Sequence, residues 1–201
     1  MIKARPYAFP CTEPFAVETT LLCLLGFQRA AVDETGASGA CALHHANRLA
    51  AAWAGAGGRC VLSRRGLPGG AVAPPAARFR EGRRTVDCLA RAGSAEWELA
   101  LDVPGATVVD HPADNAFLAS DLDHIVHLSN MRALIICGLR TEGIVHATMR
   151  AANDKGLDCL LVEDACASDD AAFHDTILSV TTFGNGLFGA VADTDAVLAA
   201  L

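Results

Sequence analysis

The sequence predicts an α/β protein, a three-layer α/β/α sandwich around a mainly parallel, six-stranded sheet. Six apolar runs of strand length recur along the chain, at residues 20–25, 59–63, 106–110, 133–138, 158–164 and 187–193. The runs are nearly continuous in apolar residues, as strands covered on both faces must be. Helical patterns separate them, and such alternation of strand and helix favours a parallel sheet between two helical layers.

Each helical pattern has its own start and stop signals. The patterns cover residues 38–58, 119–130, 141–156 and 168–184. The third begins at Thr141, a residue type that caps helices, and carries Glu142 in its first turn. It ends at Gly156, with Lys155 beside it to complement the helix dipole. These signals support helices between the predicted strands.

The chain has 201 residues, a length that one hydrophobic core can serve. We therefore expect a single domain over residues 1–201. The least regular part is 64–95, where Pro, Gly and Arg are frequent. We expect this excursion to form a lid or a subunit contact within the domain.

Composition excludes several classes of protein. Hydrophobic residues make up 52% and charged residues 19% of the chain, typical of a globular protein, and no apolar run is long enough to span a bilayer. The net charge of −7 argues against a nucleic-acid partner. The N-terminus lacks the apolar run of a signal peptide, so we expect a cytoplasmic protein.

The cysteine pattern indicates free thiols. None of the eight cysteines forms a CxxC motif, and four lie inside apolar runs. A thiol in such a run behaves as a small buried hydrophobe. The four are Cys23, Cys60, Cys137 and Cys159.

Ligands of open parallel sheets bind beyond the carboxyl ends of the strands. Three such ends are recognisable in the sequence. They are Gly26 after the first strand, His111 after the third, and the turn "GLRTEGIV" at 138–145 after the fourth. The sequence therefore predicts any functional site at these three places.

The same places resemble the isochorismatase-like cysteine hydrolase superfamily. The resembling segments are "TTLLCLLGFQRAAVDETG", "VVDHPADNAFLASDLDHIV", "LIICGLRTEGIVHATMRAANDKGLDCLLVEDACASDDAAFHD" and "LFGAVADTDAVLAAL". Together they cover nearly the whole chain except the excursion. The "YAFP" entry, the stretch 146–167 and the chain end look most like the branch of biuret hydrolase and related ureide amidohydrolases.

In that family, a cysteine at a helix start attacks an amide carbonyl, an aspartate accepts its proton, and a lysine holds their charges in place. A helix start lowers a thiol pKa, and backbone N–H groups stabilise the oxyanion. The resemblance assigns these roles to positions where this chain has other residues: Gly26 for the aspartate, His111 for the lysine and Ile144 for the cysteine. All three reactive groups of the family are therefore replaced.

The resemblance also implies which residues line the pocket. They are Phe27, Gln28, Phe117, Arg140, Thr141, Gly143 and Gly184, the last where some biuret-hydrolysing relatives place a glutamine. It further implies a cis peptide before the threonine of the turn, at the bond from Arg140 to Thr141. We expect no cofactor and no metal, since the Asp and His pattern of nicotinamidases is absent.

Three hypotheses for function follow. The first is a catalytically silent paralogue of an amide or ureide hydrolase, assembled as a homo-oligomer or with an active relative. The second is a non-standard hydrolase in which His111 acts as the base, since imidazole titrates near neutral pH. The third is a binding protein for a small amide or ureide ligand. Cys166, near the same sheet edge, remains an alternative nucleophile within the second hypothesis.

Overall fold

A computed structural model of the chain describes residues 1–67 and 90–201. Its strands are β1 Thr20–Leu25, β2 Arg59–Leu67, β3 Ala90–Arg91, β4 Thr107–His111, β5 Ala133–Leu139, β6 Asp158–Ala167 and β7 Ala190–Ala192. Six of them form an all-parallel sheet in the order β4-β2-β1-β5-β6-β7, and the two-residue β3 pairs with the end of β2. The predicted six-stranded α/β fold is confirmed.

Helices cover both faces of the sheet. They are α1 Arg29–Gly55, α2 Leu122–Leu128, α3 His146–Asp154, α4 Ala171–Gly186 and α5 Thr194–Leu198. The first and last pack on one face, and α2, α3 and α4 pack on the other. Helix α1 begins earlier than predicted and breaks at Gly36, where φ is 65°. Because Gly36 interrupts the helical pattern, the sequence did not predict the first two turns of α1.

Side-chain alternation along β1 assigns its residues to the two layers. Leu22 and Leu24 pack with Trp53 of α1, whereas Leu21 and Cys23 pack toward α2–α4. All of these side chains are fully buried, as a strand covered on both faces requires. Each buried leucine contributes about 1.5–3 kcal/mol relative to an exposed one. The prediction that Cys23 is a core thiol is confirmed.

Strand β2 extends to Leu67, four residues beyond the predicted run. Its added arginines are balanced by carboxylates at the neighbouring edge of the sheet. The Arg64 guanidinium contacts Asp110 at 2.7 Å, and Arg65 contacts Asp114 at 3.3 Å. These ion pairs let charged residues continue a strand that hydrophobicity alone would end.

The excursion predicted over 64–95 falls largely on residues 68–89, outside the described part of the chain. Its two ends belong to β2 and β3, and the 3₁₀ turn Ala95–Trp97 follows. Within residues 1–67 and 90–201, no helix has the length and apolar character needed to cross a membrane.

Candidate functional site

The carboxyl ends of β1, β4 and β5 meet at one edge of the sheet. Gly26 follows β1, His111 ends β4, and a π-helical turn, Thr141–Val145, follows β5 and carries Ile144. A Cβ atom built on Gly26 would lie 3.3 Å from Ile144 Cδ1. The structure thus places two of the three predicted positions next to each other.

The backbone at Gly26 suits glycine only. Its φ of +67° lies in the left-handed region, where a Cβ atom meets steric strain. The same Cβ would approach the Leu139 carbonyl oxygen to 2.5 Å, far inside van der Waals contact. The Gly26 N–H donates to the Ser63 carbonyl at 3.1 Å, which holds the chain in this path. Any side chain here requires the main chain to move.

Ile144 occupies the space opposite Gly26. Its side chain is 3% exposed and belongs to the hydrophobic cluster between the sheet and α2–α4. Both its Cδ1 and Cγ2 atoms would lie within 3.4 Å of a Cβ at Gly26. A branched aliphatic side chain therefore fills this part of the site.

His111 is fully buried and both of its ring nitrogens are engaged. Nδ1 lies 2.5 Å from the Ala113 carbonyl oxygen, and Nε2 lies 3.2 Å from Ser63 Oγ. Burial lowers the pKa of His111 to about 4, although the Ala113 carbonyl acts in the opposite direction. The imidazole is thus neutral at pH 7. This assigns the proton to Nδ1, which donates to Ala113, while the Ser63 hydroxyl donates to Nε2.

Ser63 was missed by the sequence analysis. It pairs in register with Val109, two residues before His111, so the Ser63 and His111 side chains emerge on the same face of neighbouring strands. The signal available in the sequence was a polar residue closing the apolar run "RCVLS". Ser63 is fully buried, like its histidine partner.

A charged pair lies beside these positions. Asp114 contacts Arg65 at 3.3 Å, and a Cβ built on Gly143 would lie 4.0 Å from Asp114 Oδ1. The carboxylate therefore faces the turn after β5. Neither charged residue was predicted for the site: Arg65 lies in the irregular excursion, and Asp114 lies in the segment that resembles the family but at none of its assigned positions.

The turn after β5 uses two of its amides internally. The N–H groups of Gly143 and Val145 both donate to the Arg140 carbonyl oxygen, at 3.1 and 3.4 Å. The expected position of the cis peptide is wrong by one residue: the cis bond joins Leu139 to Arg140. The bond from Arg140 to Thr141 is not among the cis bonds.

The side chains of Arg140 and Thr141 make contacts with α1 and α4. Arg140 Nε donates to Asp169 at 2.7 Å, and its Nη2 donates to Glu34 at 2.9 Å. Thr141 is fully buried, and its Oγ1 lies 2.9 Å from Nδ1 of His174. Burial lowers the pKa of His174, which favours a neutral ring. Both residues thereby tie the turn to its neighbours.

The other predicted lining residues lie in several places. Phe27 is buried in the cluster on the α1 side, whereas Phe117 belongs to the cluster that contains Ile144. The Gln28 amide donates to the Glu96 carbonyl and its Oε1 accepts from the Arg65 N–H.

Gly184 lies near the end of α4, which connects the carboxyl end of β6 to the amino end of β7. This topology puts Gly184 at the sheet edge opposite to Gly26. Its φ is +59°, and no atom lies within 4 Å of a Cβ built there.

The thiols near the site are buried. Cys137 and Cys166 are 0% and 5% exposed, and burial raises the pKa of each well above its usual value. A protonated, buried thiol is a poor nucleophile. In the part of the chain that the structure describes, no three His, Cys, Asp or Glu side chains gather closely enough to hold a metal ion.

Solved structures share this fold. A cysteine hydrolase from Pseudomonas syringae pv. phaseolicola is 19% identical, with a TM-score of 0.83 and 94% of each chain covered. An isochorismatase family protein from Burkholderia thailandensis gives 0.75 at 22% identity, covering 94% of this chain and 98% of that one. The nicotinamidase PncA from Bacillus subtilis gives 0.72 at 18% identity, over 87% and 99%.

Sequence comparison agrees with the fold. The uncharacterized isochorismatase family protein YddQ from Bacillus subtilis is 29% identical over 99 residues, which cover 46% of this chain and 55% of YddQ. The match thus spans about half the length of that curated relative. Residues 20–196 match the isochorismatase domain family. Since this match includes all three strand ends of the candidate site, the chain belongs to the isochorismatase family.

Proposed function

We propose that this chain is a catalytically silent member of its family, a paralogue of hydrolases that act on small amides or ureides. It would act as a subunit, either with copies of itself or with an active relative. One observation carries the proposal: Ile144 lies opposite Gly26, where the family's cysteine and aspartate would meet, and a Cβ atom on Gly26 would lie only 3.3 Å from Ile144 Cδ1. The stretch 146–167 supports the biuret hydrolase branch as the origin of the chain.

The chemistry of acyl transfer supports the same proposal. That reaction needs a nucleophile, a base to accept its proton and donors for the oxyanion. An isoleucine side chain cannot attack a carbonyl, and glycine has no group that accepts a proton. The Gly143 and Val145 N–H groups donate to Arg140 within the turn, so they are not free for an oxyanion.

Turnover measurements test this proposal. Purified protein at high concentration is incubated with biuret, other small amides and ureides, and a vinyl ether, and products are followed by NMR. We expect no conversion above the buffer rate. Conversion that scales with protein concentration and survives repeated purification would contradict the proposal.

A non-standard hydrolase is the second candidate, favoured by the contact between Ser63 Oγ and His111 Nε2 at 3.2 Å. This pair has the form of a nucleophile beside a base, with the Ala113 carbonyl orienting the ring. Both side chains are fully buried, which weighs against it. Turnover that is lost in both His111→Ala and Ser63→Ala would establish this candidate instead.

A further inference from the structure

The outer face of α4 exposes large apolar side chains. Phe173, Phe183 and Leu187 are 56%, 71% and 54% exposed. A shallow groove of about 510 Å³ runs along the same helix, lined by Asp175, Thr176, Ser179, Val180, Phe183 and Leu187. Phe173 precedes Val180 by seven residues, a spacing that places both on one side of a helix. We call Phe173 together with the groove residues the α4 face.

Charge is distributed unevenly along this helix. Residues 176–192 contain no Asp, Glu, Lys, Arg or His. The acidic residues Asp169, Asp170 and Asp175 all lie at or before its first turns. Cores of protein interfaces are depleted of charged residues and enriched in aromatic ones. The uncharged half of the face therefore has no charge to pair with a charged partner surface. The surface that fits it best is another uncharged, apolar face.

We propose that the α4 face binds the α4 face of a second copy of this chain, in a twofold-symmetric dimer with the two helices antiparallel. The inference rests on the proposed function, because a silent subunit acts through what it binds. A twofold axis brings the same surface of both copies together, so each Phe183 would enter the groove of the other copy. The antiparallel direction also sets each Asp175 against the uncharged end of the partner helix and keeps like charges apart.

The area of the face favours a dimer of moderate affinity. A phenylalanine side chain offers roughly 200 Å² for burial, so the two exposed rings leave about 250 Å² uncovered on each copy. A standard interface buries about 800 Å² per partner. The rings supply a third of that area, and the groove residues and Leu187 add to it. An interface smaller than the standard size fits a weak dimer, so we expect an equilibrium between monomer and dimer, to be sought from about 1 to 100 μM.

Sedimentation velocity and light scattering of the full chain across that range test the inference. Phe183→Asp should raise the dissociation constant by about tenfold or more, since it places a carboxylate in an apolar contact. Leu128→Asp is the matched control, because Leu128 is 70% exposed but lies on α2. It should leave the equilibrium unchanged. Ser179→Arg, at an exposed groove position, should repeat the effect of Phe183→Asp if that variant folds poorly.

Three outcomes would overturn the inference. One is a chain that stays monomeric to about 100 μM, as expected if a different subunit covers the face. Another is a dimer that neither Phe183→Asp nor Ser179→Arg weakens. The third is equal weakening by Leu128→Asp. Turnover measured on the same samples separates this result from the proposed function: activity of the unsubstituted chain refutes the silent assignment, whereas an inactive chain that gives one of these three outcomes refutes only the α4 face.

Discussion

Replacement of Gly26 tests the central claim about the site, that its backbone has adapted to the absence of a side chain. We choose Gly26→Ala, which adds a Cβ atom and no charge. The left-handed φ of +67° costs a non-glycine residue roughly 1–2 kcal/mol. Contact at 2.5 Å with the Leu139 carbonyl adds the penalty of overpacking, roughly 1–3 kcal/mol. The total loss of stability is therefore about 2–5 kcal/mol.

Gly57→Ala is the matched control. Gly57 has a similar φ of +76°, yet no atom lies within 4 Å of a Cβ built there. Gly57→Ala should lose only the stability that the left-handed backbone costs an alanine, about 1–2 kcal/mol. The difference in free energy of unfolding between the two alanine variants is the contribution of the contact with the Leu139 carbonyl.

Urea unfolding followed by far-UV circular dichroism measures both variants. With a slope of about 2 kcal/mol per molar urea, Gly26→Ala should lower the unfolding midpoint by about 1–2.5 M. The control should lower it by about 0.5–1 M. If Gly26→Ala were no more destabilising than Gly57→Ala, the Leu139 carbonyl would not restrict a side chain at position 26, and the reasoning about this backbone would be refuted.

Further substitutions probe the two neighbouring positions, His111 and Ile144. Burial lowers the pKa of His111 to about 4 from about 6.5 in the unfolded chain, so the unfolded state binds more protons between these values. Stability should hence fall by about 3 kcal/mol as the pH drops from 6.5 to 4. His111→Gln should flatten that slope in urea unfolding measured at each pH, and an unchanged slope would assign it to other groups. The 3% exposure of Ile144 indicates a packed core residue. Ile144→Ala should therefore lower the free energy of unfolding by about 2–5 kcal/mol, and Ile144→Val by about 0.5–1.5 kcal/mol. Small and equal losses in both variants would show that Ile144 lies outside the core.

The fold was predictable because each strand carries its evidence locally. Runs such as 133–138 are apolar throughout, and helical patterns with start and stop signals separate them. Parallel order and burial on both faces follow from those two facts. In the structure Asp170 and Asp193 cap α4 and α5, whereas α1, α2 and α3 begin without a side-chain cap, so Thr141 does not cap α3 as predicted. The first turns of α1 were hidden because Gly36 interrupts the pattern. The extension of β2 was not predicted because its arginines pair with Asp110 and Asp114, which are distant in the sequence.

The candidate site was predictable only as a location. Strand ends placed Gly26, His111 and Ile144 at one edge, and the structure brings Gly26 and Ile144 into contact. Ser63 was not found, because a hydrogen bond between side chains of adjacent strands depends on register. Gly184 was expected near the pocket but lies at the opposite edge of the sheet. The sequence did not show that α4 continues past this residue and so carries it to the far edge.

Under the proposed function, the residues at positions 26 and 111 are physically coupled. A lysine at the buried position of His111 would bring an ammonium group near Arg65, which repels it, and near Asp110 and Asp114, which attract it. Gly26 offers it no carboxylate. A buried charge without a close partner is unfavourable, so a neutral imidazole suits a site in which position 26 carries no carboxylate. His111→Lys and Gly26→Asp should therefore each destabilise the chain, and the double variant should be more stable than the sum of the two losses implies. A coupling energy of about 0.5–3 kcal/mol in a double-mutant cycle is expected, whereas strictly additive losses would show that the two positions do not sense each other's charge.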